Sequence, residues 1–163
     1  MTEKLNWYVM YTAPRAEKKV AERLTEVYLP MIEEIRQWSD RKKKIQKPLF
    51  NGYVFVYTSK ERLWESLQVA GAVKFINFSG EHSYIQQEEI DTIQRIIETG
   101  VSVEVDTDNI EKGETVEILG GPLQGLHGEC IKKSNQDYFI IRIPSINQSM
   151  LVNVPRKFLK ITQ

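Results

Sequence analysis

The stretch KPLFNGYVFVY, residues 47–57, decides how the first half of the chain folds. Its β-branched and aromatic content predicts a strand over 52–58. Successive side chains of a strand point to opposite faces, so one face carries aromatics and the other carries valines. The two sets are Tyr53, Phe55 and Tyr57 against Val54 and Val56. The valines suit a face packed under a helix. The aromatics form either a second buried layer or an exposed apolar patch of the kind that marks an interface.

The segments around this stretch predict an α+β fold, in which helices pack on an antiparallel sheet. Strands are expected at 6–12, 31–38, 44–50 and 72–78. Helices are expected from Pro14 to Val27, in KERLWESLQVAG (60–71) and from Ile85 to a stop at Gly100. The strands 31–38 and 44–50 form a hairpin whose connection, SDRKK, makes a charged tip.

The residue pattern changes beyond residue 100. Residues 101–112 are acidic and lack a helical period, which is typical of a linker with some strand tendency. Beyond them lie five short β-rich runs separated by turn sequences, and this pattern predicts a small five-stranded β-barrel. We therefore expect two domains, 1–105 and 112–163, joined by a linker over 106–111.

Composition and charge indicate where the protein is located and which kinds of partner it can bind. Lys and Arg exceed Asp and Glu by five over residues 1–60, and the balance is reversed over 61–163. The single cysteine, Cys130, leaves no intramolecular disulfide, which fits a reducing compartment. The sequence offers no signal peptide and no membrane-spanning run, so we expect a cytoplasmic protein without a membrane partner. We also expect it to be a monomer.

The sequence gives no sign of an enzyme, a metal site or a cofactor site. His82 and His127 stand outside any metal-ligand spacing, and no nucleotide-binding glycine motif is present. Cys130 lies in a predicted strand, so we expect its thiol to be buried and unreactive.

The charge run Arg41–Lys44 has two readings. One is a solvated hairpin tip that discourages pairing at a sheet edge. The other is a contact with nucleic-acid phosphates, supported by further basic residues in the same half and by Trp38, whose indole suits base stacking.

Three segments resemble the NusG family of transcription elongation factors. They are NWYVMYTAPRAEKKVAERL (6–24), KPLFNGYVFVY (47–57) and KGETVEILGGPLQGLHGECIK (112–132). The first two resemble the N-terminal domain of the family, and the third resembles the KOW motif of its C-terminal SH3-like barrel. The sequences RQWSDRKKK and PLFNGYVFV further resemble the specialised paralogues, RfaH and the UpxY-type antiterminators of surface-polysaccharide operons.

The resemblance implies a function in transcription elongation and antitermination. The N-terminal domain of the family binds the clamp helices of the RNA polymerase largest subunit and suppresses pausing and termination. Its polymerase-binding residues correspond here to Trp7, Tyr8, Tyr11, Phe50, Tyr53 and Phe55. The resemblance implies contacts to non-template or upstream DNA from the first helix and the segment after the third strand, at Arg15, Lys19, Arg23 and Arg62. The basic pattern adds Lys18 and the charge run Arg41, Lys42, Lys43 and Lys44 to the predicted nucleic-acid-binding residues.

Two departures from the family pattern bear on function. Asn51 stands where the family often has Pro, although Asn tolerates left-handed turn geometry. Leu123 and Leu126 occupy barrel positions that carry aromatic contacts to ribosomal protein S10 or to Rho in housekeeping members. The resemblance implies S10 as the partner of the barrel. The replacement of aromatics by leucines puts recruitment of Rho in doubt. The alternatives are a housekeeping factor that couples polymerase to Rho or the ribosome, and a KOW-based ribosome- or RNA-binding protein.

Overall fold

The structure is a computed structural model that describes residues 3–107 and 110–162. The chain divides into two units, Met1–Ile93 and Gln94–Gln163. The predicted domains, 1–105 and 112–163, and the linker, 106–111, stay predictions. Linker residues 108 and 109 lie outside the described residues, as do the ends of both predicted domains, residues 1 and 163.

The first unit is built from antiparallel strands and short helices. Its strands are β1 (Leu5–Thr12), β2 (Val27–Tyr28), β3 (Met31–Gln37), β4 (Lys42–Pro48), β5 (Tyr53–Ser59), β6 (Ala72–Phe75), β7 (Asn77–Phe78), β8 (Glu81–His82) and β9 (Tyr84–Ile85). Its helices are α1 (Glu17–Arg23), a 3-10 turn at Lys60–Arg62 and α2 (Leu63–Ser66). A third helix, α3 (Gln87–Glu98), contains the boundary between the two units.

The main sheet of the first unit has the order β2-β5-β1-β6, and β9 also pairs with β1. The strands β1 and β5 pair along their whole length, from Leu5 opposite Ser59 to Tyr11 opposite Tyr53. One face of this pair forms the core with α1, because Val54 and Val56 lie in one buried cluster with Val20. The predicted packing of the two valines under a helix is therefore confirmed.

The first helix is shorter than the apolar spacing predicts. It begins at Glu17 rather than near Pro14, because Arg15 adopts a φ of 63° and the Ala16 N–H donates to the Ala13 carbonyl. A residue in the left-handed region does not belong to a right-handed helix. The helix ends at Arg23, and Val27 lies in β2, where pairing with β5 replaces the predicted last turn.

The strands β3 and β4 form the predicted hairpin, with register from Met31 opposite Pro48 to Gln37 opposite Lys42. In the described part of the chain these two strands pair only with each other. The helix α3 is also confirmed, with Ile90, Ile93 and Ile96 buried on one face. Gly100 follows it with a φ of 76°, the conformation that commonly ends a helix.

The second unit contains a six-stranded antiparallel sheet in the order β10-β14-β13-β12-β11-β15. The strands are β10 (Val103–Asp106), β11 (Glu114–Ile118), β12 (His127–Lys133), β13 (Gln136–Ile143), β14 (Gln148–Asn153) and β15 (Leu159–Ile161), with 3-10 turns at Pro144–Ile146 and Arg156–Phe158. Each of the strands β11 to β15 overlaps one of the five segments predicted to be strands. The sixth, β10, lies in the acidic segment and pairs with β14.

A charged pair joins two strands of the second unit to the segment before β11. Arg142 donates from Nε to Glu129 Oε2 at 2.7 Å and from Nη2 to Glu129 Oε1 at 3.1 Å. The same guanidinium donates to the carbonyls of Ile110 and Glu111, and the Gly113 N–H donates to Glu129 Oε1. The hydrogen bonds from Arg142, and then the one from Gly113, hold the pKa of Glu129 below its ordinary value.

Candidate functional site

The aromatic face is the side of the β1–β5 pair that faces away from α1. Strand alternation and the observed register bring Trp7 opposite Tyr57, Val9 opposite Phe55 and Tyr11 opposite Tyr53. We define the aromatic face as Trp7, Tyr11, Phe50, Tyr53, Phe55 and Tyr57. The structure thus brings together five of the six predicted polymerase-binding residues.

Tyr8 is the predicted site residue that lies elsewhere. It pairs with Val56 and joins the buried cluster beneath α1, with only 5 % of its surface exposed. The reason is the two-residue period of β1, which places Tyr8 and Met10 on the face opposite Trp7 and Tyr11. The period is visible in the sequence.

The middle of the aromatic face is fully buried. Phe55 has no exposed surface, and Phe50 has 1 %. The Phe50 ring meets Phe55 edge-on at 6.2 Å, and Tyr28 stacks on Phe55 at 6.4 Å between centroids. These two phenylalanines therefore support the face from within and present almost no surface to a partner.

The two ends of the face carry the side chains that reach solvent. At one end the partly buried rings of Tyr11 and Tyr53 lie 5.5 Å apart. At the other end the ring centroids of Trp7 and Tyr57 lie 5.0 Å apart, and the Trp7 indole N–H donates to Gln87 Oε1 at 2.6 Å. Because Trp7 already has an internal hydrogen-bond partner, the Tyr11–Tyr53 end is the better candidate for binding another protein.

A tight turn holds the Tyr11–Tyr53 end in place. The Tyr53 N–H donates to the Phe50 carbonyl across Asn51 and Gly52, and Gly52 has a φ of 85°. This is the geometry of a type II turn, in which the third residue takes the positive φ and the second is often Pro. Asn51 therefore occupies a position where Pro fits, and the left-handed geometry expected of it falls on Gly52 instead.

Gly52 is required for a second reason. A Cβ at this position would lie 3.2 Å from Tyr11 Cε1, which is closer than ordinary packing. The Gly52 N–H donates to Oε2 of Glu17, a carboxylate with 5 % exposure at the start of α1. The glycine thus lets the Tyr11 ring lie against the turn, and the buried glutamate connects that turn to the helix.

The predicted nucleic-acid residues are all exposed but fall into two groups. In the first, the side chain has an internal partner. Lys18 Nζ donates to the Gln46 carbonyl and Arg23 to the Ala70 carbonyl, while Arg62 pairs with Glu65 and Lys44 with Glu33. In the second, no hydrogen bond or ion pair of the side chain occurs within the described residues. This second group is Arg15, Lys19, Arg41, Lys42 and Lys43.

The predicted barrel residues differ in exposure. Leu123 is buried, with 3 % of its surface exposed, whereas Leu126 is partly buried. The Leu126 N–H donates to the Leu123 carbonyl within the turn between β11 and β12. Their role in binding a partner stays a prediction, and Leu126 offers the larger surface for it.

The single cysteine is not set up as a nucleophile. Cys130 is partly buried, and burial, followed by the nearby charges of Asp137 and Glu114, raises the pKa of its thiol. A raised pKa keeps the thiol protonated and poorly nucleophilic. Over residues 3–107 and 110–162, no three His, Cys, Asp or Glu side chains are arranged to hold a metal ion. No helix in this described part is long and apolar enough to span a membrane.

Comparison with known proteins assigns the family. The family model for transcription termination factor nusG matches residues 5–94, more than half of the chain. The chain therefore belongs to the NusG family, whose members are non-enzymatic transcription factors. No curated protein matches the chain.

One solved structure agrees with this fold. A structure of Thermotoga maritima NusG, described in terms of domain interaction, is 20% identical with a TM-score of 0.55 and covers 98% of each chain. A structure of the MjSpt4:Spt5 complex is also 20% identical over 96% of this chain and 97% of the other, with a TM-score of 0.31. The first likeness shows a NusG-like fold of mixed helices and antiparallel sheets.

Proposed function

We propose that this protein is a transcription elongation and antitermination factor that binds the clamp helices of the RNA polymerase largest subunit. The observation that carries the proposal is the Tyr11–Tyr53 end of the aromatic face. The rings of these two partly exposed tyrosines lie 5.5 Å apart between centroids, on the same face of the β1–β5 pair as the buried Phe55. Aromatic side chains are enriched in protein interfaces and dominate their binding energy.

The basic residues support a second contact, with non-template or upstream DNA. The side chains of the exposed cations Arg15, Lys19, Arg41, Lys42 and Lys43 lack internal hydrogen-bond and ion-pair partners among the described residues. Such side chains release counterions when they bind phosphates. Bound at both surfaces, the protein would keep polymerase and nucleic acid in the processive arrangement.

The second unit is proposed to be a small SH3-like KOW barrel that binds a further partner, ribosomal protein S10. Support comes from the KOW-like sequence at 112–132 and from the antiparallel path of β11 to β15. The likeness of RQWSDRKKK and PLFNGYVFV to RfaH and UpxY-type proteins favours surface-polysaccharide operons as targets. Leucines in place of aromatics at 123 and 126 favour a factor that opposes termination over one that recruits Rho.

Transcription with purified RNA polymerase tests the proposal. We expect the full-length protein to lower the frequency of pausing and to raise read-through at a terminator, because a stabilised processive state enters pauses less often. Tyr53→Ala should lose this effect. Lys60→Ala, a change at an exposed residue outside both proposed surfaces, should retain it. Equal pausing with and without the wild-type protein, on a template carrying its own operon leader, would contradict the proposal.

A further inference from the structure

The tip of the β3–β4 hairpin gathers one aromatic side chain and several cations. The backbone N–H of Trp38 donates to the Arg41 carbonyl at 2.8 Å, and this hydrogen bond closes the turn across Ser39 and Asp40. Arg36 lies opposite Lys43 in the register, and directly opposed residues share a face of the hairpin. Arg36 and Lys43 therefore lie on the same face of the hairpin.

Two of these cations lie over the indole. The Arg41 Cζ atom is 5.3 Å from the centroid of the Trp38 ring, and Lys43 Nζ is 5.7 Å from it. The Trp38 residue keeps 42% of its surface exposed. In the described part of the chain neither cation forms an ion pair, whereas Arg36 and Lys44 pair with Glu34 and Glu33. The cations nearest the ring are thus the ones left available for an anion.

We propose that Trp38 stacks on an unpaired base of a single-stranded nucleic acid while Arg41 and Lys43 bind the flanking phosphates. The inference rests on the proposed function for the source of the strand, since transcribing polymerase exposes unpaired bases. It goes further by naming a base-stacking residue and by assigning the hairpin tip to single strands rather than to duplex.

The relative strengths of the two contacts favour a bound base. An exposed cation–π contact contributes about 2- to 5-fold to an equilibrium constant. Stacking of a base on an aromatic side chain contributes about 5- to 150-fold. A base therefore displaces a cation from the ring, and the displaced cation remains close enough to bind the adjacent phosphate. In a duplex the bases already stack on each other, so only the phosphate contacts remain.

Other exposed aromatics lack this combination. Phe78 is 74% exposed on the β7–β8 hairpin, where it lies opposite Glu81, and Trp64 is 62% exposed on α2. No cation lies over either ring within the described residues. Phe78 is therefore a matched control, because it is an exposed aromatic on a hairpin with an acidic rather than a basic neighbour.

Fluorescence anisotropy of labelled oligothymidine and oligouridine, with a duplex of equal length, tests the inference on the full-length protein. We expect both single strands to bind more tightly than the duplex. Trp38→Ala should weaken single-strand binding about tenfold, and Trp38→Phe should restore most of it. Arg41→Ala and Lys43→Ala should each reduce the slope of log K against log salt by about 0.7, whereas Trp38→Ala should leave that slope unchanged.

The controls separate this inference from the proposed function. Phe78→Ala should bind both single strands as the wild type does, and so should Tyr53→Ala. Wild-type affinity in Trp38→Ala, or equal affinity for duplex and single strand, would overturn the inference while leaving polymerase binding untouched. Suppose that the wild type does not bind polymerase, while Trp38→Ala still weakens single-strand binding. That result would count against the proposed function alone. A preference for either sugar supports the inference, because stacking and phosphate contacts are common to both.

Discussion

Phe55→Ala is expected to lower the free energy of unfolding of the first unit by about 3–5 kcal/mol, the usual cost of truncating a buried phenylalanine. Phe55 has no exposed surface and packs against the rings of Phe50 and Tyr28. Its removal leaves a cavity between β5, β2 and the turn before β5. Urea denaturation of the full-length protein measures the change.

The matched variant is Tyr53→Ala, two residues earlier on the same strand and the same face. Tyr53 is partly exposed, so its truncation should cost about 1 kcal/mol, a typical value for a point substitution. Equal destabilisation by the two changes would mean that the aromatic face has no buried centre. The distinction matters for function, because loss of polymerase binding in Phe55→Ala would report unfolding as much as a lost contact.

Arg142→Ala is expected to destabilise the second unit by about 2–3 kcal/mol. Breaking a buried ion pair costs more than this, and the cost is discounted here because the Arg142 and Glu129 side chains keep 30% and 23% of their surface exposed. The change removes both hydrogen bonds to Glu129 and both hydrogen bonds to the carbonyls of Ile110 and Glu111. Arg156→Ala is the control, since that side chain is 76% exposed and 3.7 Å from Asp137. If Arg142→Ala destabilises the second unit no more than Arg156→Ala does, the hydrogen bonds of Arg142 do not stabilise the fold as expected.

The same pair gives the second unit a dependence on pH. Hydrogen bonds from Arg142 lower the pKa of Glu129 in the folded state from the ordinary 4.5. A carboxylate with a lowered pKa stabilises the fold above its unfolded pKa, and this stabilisation is lost as the pH falls through the folded value. Thermal unfolding below pH 4.5 should therefore show a smaller loss of stability on acidification in Glu129→Gln than in the wild type.

Local patterns in the sequence predict much of the first unit. Alternation assigns the valines of β5 to the core and groups Tyr53, Phe55 and Tyr57 on the other face, and both assignments hold in the structure. Alternation along β1 would also have removed Tyr8 from the site, since it lies one residue from Trp7. The resemblance alone placed it there.

The features that the sequence leaves open depend on distant contacts. Buried Phe55 packs against Tyr28 from β2 and against Phe50 from the turn before β5, contacts that the spacing within β5 does not reveal. Arg15 takes a positive φ in a segment that Ala13 ties to the Gly71 carbonyl, so α1 begins later than its apolar stripe suggests. The strand β10 forms by pairing with β14, some 45 residues away, and its acidic sequence alone is typical of a linker.

The central claim is that the Tyr11–Tyr53 end of the aromatic face binds polymerase. The most direct measurement is the affinity of the full-length protein for a purified fragment carrying the clamp helices of the RNA polymerase largest subunit. Tyr53→Ala and Tyr11→Ala should each weaken binding by about 2 kcal/mol, as interface anchors do, while their circular dichroism matches the wild type. Trp38→Ala, at the hairpin tip, should bind as the wild type does. Undiminished binding by folded Tyr53→Ala and Tyr11→Ala would contradict the account, because these two tyrosines form the end of the aromatic face that is proposed to bind polymerase.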